Sequence, residues 1–242
     1  QFDEDRDAVL KACFKEGISH IINAGCDVDS TKKSIAMADK HEFVYASAGI
    51  HPHEASSFGE NTYEVLEELA NKPKVVAIGE IGLDYHYDFS PRQVQKECFE
   101  KQIHLARALK MPMIIHDREA HKDTLDILKA CRGYDVGGVF HCFSGGKDLA
   151  REVLALGFKI GMDGPVTFKN AHKPIEVVSY VPLDMLLVET DCPYLTPEPF
   201  RGKRNYSGYL KLIIEKIANI RNTDFENIDR ITSDNARMLF KF

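Results

Sequence analysis

VVAIGE (residues 75–80) is an unbroken apolar run that closes on a carboxylate, Glu80, with Gly79 and Gly82 on either side. Three more stretches have the same form: PMIIH (112–116) closes on His116, GGVFH (137–141) on His141 and MLLVETD (185–191) on Asp191. Runs of β-branched and apolar residues without polar alternation are the pattern of strands covered on both faces, as in a parallel sheet. Side by side, their C-terminal ends would bring two imidazoles and two carboxylates together. That ligand set suits a divalent cation such as Zn²⁺ or Mn²⁺.

Working outward, the same strand-like pattern recurs at HIINAGC (20–26), VYASAGI (44–50) and FKIGMDG (158–164). Helical spacing fills the intervals at 5–16, 30–41, 61–71, 91–110, 119–132, 146–156 and 171–179, then 208–220 and 224–240. Helix starts are expected at Asp29-Ser30, at Ser90-Pro91 and after the glycine turn before Lys147. Strand and helix alternate without a linker, a repeat or a change in composition, so residues 1–242 are expected to form one domain of parallel βα units. A doubly wound sheet and a TIM-like (β/α)8 barrel both fit that alternation. Residues capable of chemistry follow most of the strands, as a barrel requires, whereas an open sheet would gather them at one switch point. The expected fold is therefore an α/β, TIM-like (β/α)8 barrel. Its first element here is a helix, Asp3–Glu16, so the first strand is missing from this chain and is expected to precede Gln1.

With 242 residues and 44% hydrophobic content the chain can bury a large core. Six cysteines are scattered with no CxxC pair, which points to a reduced, cytoplasmic protein without a zinc knuckle. The opening QFDEDRDAVL is acidic and amphipathic, unlike a signal or transit peptide, and no run has the length of a membrane span. The net charge of −6 gives no basic footprint for coating duplex DNA, although a few phosphates could be gripped locally. Nothing marks an obligate protein partner.

Each candidate has an ordinary alternative. Glu80 in an apolar strand needs a metal, a cation or hydrogen-bond donors, and a Lys or Arg partner would do equally well. Asp84 could orient a ligand or cap the following loop, and the cap is the favoured reading. A single strand-end histidine is usually part of a core or surface; His116 and His141, at matching positions of consecutive βα units, are better explained as ligands. His121 reads as a surface residue of the next helix. Asp191 precedes Cys192-Pro193, which keeps the chain extended, so it can ligate a metal and take a proton from water, or else cap the PYLTP turn. In GIHPHE, His51 lies nearer its strand and is the active-site candidate, with His53 supporting the loop. Arg201, Lys203 and Arg204 of RGKRN, Lys169 of TFKNA, and Arg118 beside His116 are candidate phosphate-binding cations, against the alternative of a solvated face. A centre of this kind lowers the pKa of water to about 7 and polarises a phosphoryl oxygen.

GIHPH, AIGEIGLDY, MPMIIHDRE, FHCFSG, DGPVTFKNA, LLVETDCPYLTP and RGKRN together resemble the TatD-type metal-dependent deoxyribonucleases of the amidohydrolase superfamily. The resemblance implies a TIM-like barrel with one to three divalent metal ions that hydrolyses DNA phosphodiesters, often as a 3′→5′ exonuclease; two ions of Mg, Mn or Zn are expected, and the net negative charge suits an enzyme that works on single strands or strand ends. By the same resemblance Glu80 is the bridging carboxylate, and His116 and His141 serve one ion. Asp191 serves the other ion and accepts a proton, and His51 contacts substrate. The chain departs from the family in lacking the His-x-His pair of a first strand, and in having Tyr206-Ser207 after RGKRN where the family has Glu-Pro. Two other readings stay open: a barrel of the superfamily acting on another ester, lactone or amide, and a non-catalytic scaffold with an incomplete metal site.

Overall fold

The apolar runs and amphipathic intervals resolve, in a computed structural model that describes residues 1–242, into seven strands and nine helices. In chain order these are α1 (Arg6–Lys15), β1 (Ile21–Asn23), α2 (Val28–Lys40), β2 (Val44–Ala48), α3 (Thr62–Ala70), β3 (Val75–Asp84), α4 (Arg92–Leu109) and β4 (Met113–Arg118). There follow α5 (His121–Ala130), β5 (Gly138–Phe140), α6 (Lys147–Ala155), β6 (Lys159–Met162), α7 (His172–Tyr180), β7 (Leu186–Val188), α8 (Leu210–Arg221) and α9 (Phe225–Phe240).

Every neighbouring pair of strands is parallel, and the spatial order is the chain order from β1 to β7. A doubly wound sheet would reverse its order at a switch point. The strands instead curl in one direction into an incomplete barrel, in which β1 and β7 are not paired with each other. No helix is long and apolar enough to cross a membrane.

Two layers follow from alternation along each strand. Ile115, Phe140, Ile160 and Leu186 face outward into the large core beneath the helices, with Phe99 and Ile103 of α4 and Ile213 and Ile217 of α8. Ile114, Val139 and Leu187 face inward with Ala77, and Phe240 of α9 plugs this inner cluster. Inward residues two positions further along the same strands are His116, His141 and Glu189, so the candidate ligands stand on top of a dry apolar floor.

Some boundaries move from where the sequence suggested them. α2 begins before Asp29: Asp27 accepts from Ser30 N (2.6 Å) while Ser30 Oγ accepts from Asp27 N (2.8 Å), a reciprocal cap that places Asp29 inside the first turn. β1, β5 and β7 are only three residues long, because the chain turns away to form loops just where the chemistry begins. α4 buries two glutamines that its polarity would have put outside. Gln102 spans both backbone groups of Ile50 (2.7 and 3.0 Å), and Gln95 holds Asp84 N and O (2.8 and 3.0 Å). A helix on the outside thereby fixes the loops after β2 and β3.

Candidate metal centre

Glu80 owes its position to an irregularity in β3. Between Ile78 and Ile81 the pairing with β4 advances by three residues on β3 and two on β4, so one residue is extra and the strand is re-aimed. Close approach of β3 to β4 also requires Gly82, at φ +144°: a Cβ there would lie 1.9 Å from the carbonyl oxygen of His116. Glu80 then stands at 2.7 Å from His116 Nδ1, 3.6 Å from His51 Nε2 and 3.8 Å from His141 Nε2. Burial alone would raise its pKa, but the imidazoles of His141, His116 and His51 hold it well below the ordinary carboxylate value.

The two histidines are each tied at one nitrogen by a second carboxylate. His116 donates from Nε2 to Asp84 Oδ2 (3.0 Å) and presents Nδ1 to Glu80. His141 donates from Nδ1 to Glu189 Oε2 and presents Nε2 to Glu80 and to Asp191, 3.5 Å away. This is the arrangement that sets a ligating tautomer: the outer nitrogen keeps its proton on a carboxylate, and the inner one is available to a cation. With both ring nitrogens on carboxylates, His116 carries a proton on each. Burial opposes that charge, yet Asp84 and Glu80 raise its pKa to about 9. His141 is raised well above the ordinary value against the same burial, by Glu189 and Glu80.

His51 is of another kind. Its Nδ1 accepts from His53 N (3.2 Å), so in the neutral ring the proton sits on Nε2, facing Glu80. Burial lowers its pKa and keeps it neutral. A ring in that state turns an N–H donor toward Glu80.

Beyond His141 lies a second group. Ligand atoms of Cys142, Asp163 and Asp191 all lie within 4.8 Å of one another, as do those of His51, Glu80 and His116. Burial, Asp163 and Asp191 push the Cys142 thiol well above its ordinary value; its Sγ donates to Asp163 (3.1 Å). Burial and the nearby Glu189 raise Asp163 to about 7. Glu189 fits its place because Gly161 leaves room: a Cβ there would lie 2.3 Å from the carboxylate.

Glu80, Asp84, Glu189 and Asp191 have no Lys or Arg ion-pair partner, only histidines, and Asp163 meets only the Cys142 thiol. Carboxylates in such excess, with imidazole nitrogens turned inward, fit divalent cations. Glu80, His116, His141 and Asp191 face one another across this space.

The four strand-end side chains singled out in the sequence converge in space, and His51 joins them. Asp84 does more than cap its loop. Fully buried, it accepts from His86 N and Tyr87 N through Oδ1 (3.0 and 2.9 Å) and from His53 and His116 through Oδ2 (2.9 and 3.0 Å). Sequence reasoning missed Glu189 and Asp163. Both were within reach of it, since Glu189 lies two residues before Asp191 and Asp163 follows β6 as the other ligands follow their strands. His121, expected at the surface, pairs at 2.8 Å with Asp117.

The expected phosphate cations part company. Arg204 is committed to the N-terminal segment, with Asp5 (3.0 and 2.5 Å), Gln1 O (2.8 Å) and the Phe2 ring. Arg201 lies over Phe168, Lys203 near Phe200 and Arg118 over Tyr87, and Lys169 is exposed.

The family model described as TatD related DNase matches residues 1–241. An uncharacterized metal-dependent hydrolase, YabD, of Bacillus subtilis is 45% identical over 241 residues, covering 100% of this chain and 94% of its own. The 3′-5′ ssDNA/RNA exonuclease TatD of Salmonella typhimurium is 34% identical over 247 residues, covering 100% and 95%. The crystal structure of YJJV, a TatD homologue from Escherichia coli, superposes with a TM-score of 0.93 at 29% identity, covering 100% of this chain and 93% of that one.

Proposed function

The chain belongs to the TatD-related DNase family, and on that premise we propose that it is a hydrolase that uses two divalent ions to cut phosphodiester bonds of single-stranded nucleic acid, DNA foremost, from the 3′ end. The observation that supports this most is the pair of carboxylate-tied imidazoles, His116 on Asp84 and His141 on Glu189, turned toward Glu80. Glu80, His116, His141 and Asp191 would hold the ions. Divalent cations supply Lewis-acid polarisation of a phosphoryl group and make water acidic enough to act as a nucleophile near neutral pH.

The remaining chemistry falls to the chain's own residues. Asp191 is partly exposed at the mouth of the site and accepts the proton lost by the attacking water. His51 donates from Nε2 and suits a phosphoryl oxygen rather than a metal. Arg118, Lys169, Arg201 and Lys203 remain for the phosphates on either side, and Arg204 holds the rim to α1. A covalent enzyme intermediate is not expected: no serine or cysteine stands in a nucleophile motif, the Cys142 thiol donates to Asp163, and water is the nucleophile.

The test is digestion of a single strand labelled at its 5′ end by the full chain with Mn²⁺, Mg²⁺ or Zn²⁺. A ladder shortening from the 3′ end, abolished by Glu80→Ala and Asp191→Asn, is the expected result. A metal-loaded protein that leaves both single strands and duplexes intact would overturn the reading.

A further inference from the structure

We propose that the loop after β3 is a base-stacking platform, on which Tyr87 and Phe89 receive nucleobases of the strand whose phosphodiester lies at the metal centre. The inference rests on the nucleic-acid substrate proposed above and adds how that substrate is gripped. The two rings stack on each other at 5.3 Å and 21°, yet they remain 48% and 69% exposed. Two adjacent rings left in water forgo the main favourable term of folding, which a nucleobase laid on them would restore.

The pair is held from below. Asp84 pins the backbone through His86 N and Tyr87 N, and Asp88, at φ +50°, turns the chain between the two aromatic residues. Arg92 clamps the Asp88 carboxylate (2.9 and 2.7 Å) while lying over Tyr85. Rigid rings with few torsions lose little entropy on binding.

Position ties the platform to the chemistry. The edge of His53 meets Phe89 at 4.8 Å and Tyr87 at 5.4 Å, His53 meets His51 at 4.4 Å, and His51 meets His116 at 4.5 Å. An unbroken path of rings therefore leads from a metal-ligand histidine to the exposed pair. The Arg118 guanidinium, 4.9 Å from the Tyr87 ring centre, brings a cation to the end of β4, where a strand stacked on the platform would pass its backbone.

Overall charge favours the same occupant. A chain of net charge −6 gains little by neutralising many phosphates, so its hold on an anionic polymer must come from contacts insensitive to salt. Stacking supplies these, tolerates any base sequence, and needs bases free of a duplex.

The test uses the full chain with Mn²⁺ and a short fluorescent single strand whose phosphorothioate linkages resist cleavage, followed by anisotropy. Tyr87→Ala and Phe89→Ala should each weaken binding about 5- to 100-fold, and Phe89→Trp should retain it. A strand of the same length with abasic sites should bind wild type and alanine variants alike. Equal binding of the ordinary strand by wild type and alanine variants would overturn the platform, as would an equal loss on the abasic strand or equal affinity for duplex. Ring-dependent self-association without an effect on the oligonucleotide would assign the pair to a second copy instead. If wild type cleaves strands but the rings do not matter, only the platform fails. If wild type neither binds nor cleaves them, the functional reading fails with it.

Discussion

Asp84→Asn separates the two roles that Asp84 could play. Asparagine is a good cap and keeps an oxygen for His86 N and Tyr87 N, so the turn that begins at residue 84 should survive. Its amide NH₂, however, would meet the two imidazole nitrogens that now donate to Oδ2, at 2.9 and 3.0 Å. Relief requires His116 to give up its Nε2 proton and keep the one on Nδ1, the nitrogen facing Glu80, and that tautomer cannot bind a cation there. Loss of a carboxylate behind a ligating histidine lowers metal affinity about 10- to 100-fold, or about 1.4–2.7 kcal/mol. Without metal, two of four hydrogen bonds to a buried carboxylate are lost. At about 1.5–3 kcal/mol for a charged hydrogen bond, less what the asparagine recovers, the metal-free protein should lose about 2–4 kcal/mol. Calorimetric titration of chelator-stripped protein with Mn²⁺, beside urea unfolding of the same samples, measures both. A variant that loses stability but binds Mn²⁺ within about twofold of wild type would show that Asp84 is only a cap, and would refute the orienting role.

Other consequences can be checked in the same preparations. The pKa of His116 is raised from 6.5 to about 9 in the metal-free fold, so its stabilisation is complete below pH 6.5 and fades as pH rises toward 9. Metal binding displaces that proton and should strengthen over the same interval, measured as Mn²⁺ affinity against pH with proton release in buffers of different ionisation heat. Gln102→Leu would strand the buried backbone N–H and C=O of Ile50. A loss of about 2–4 kcal/mol in urea unfolding is expected, with faster hydrogen exchange in the loop bearing His51. Phe240→Ala would empty the plug of the inner cluster. A cost of about 3–5 kcal/mol is expected, readable in the same unfolding experiment.

Much of the molecule is legible in its sequence because the signal is periodic and local. The apolar runs ending on Glu80, His116, His141 and Asp191 mark the strands, and the chemistry at so many strand ends argues for a barrel; each of these features lies within a few residues. Placement of Asp29 at the start of α2 failed for an equally local reason, since the capping residue, Asp27, lies two residues earlier. Arg204 lay beyond local reasoning, because its partner Asp5 is 199 residues away in sequence.

What the sequence by itself determined is which residue types stand at the ends of which strands, since alternation and run length depend only on neighbours along the chain. Tertiary structure alone decided which nitrogen of each histidine faces Glu80. That depends on Asp84 and Glu189, brought across the barrel to His116 and His141 from 32 and 48 residues away. It also turned Gln95 and Gln102 from surface polarity into supports for the loops, and set Tyr87 and Phe89 beside His53. Hydrogen bonds act over about 3 Å. The roles of these groups are therefore fixed only once the chain has closed the distances between them.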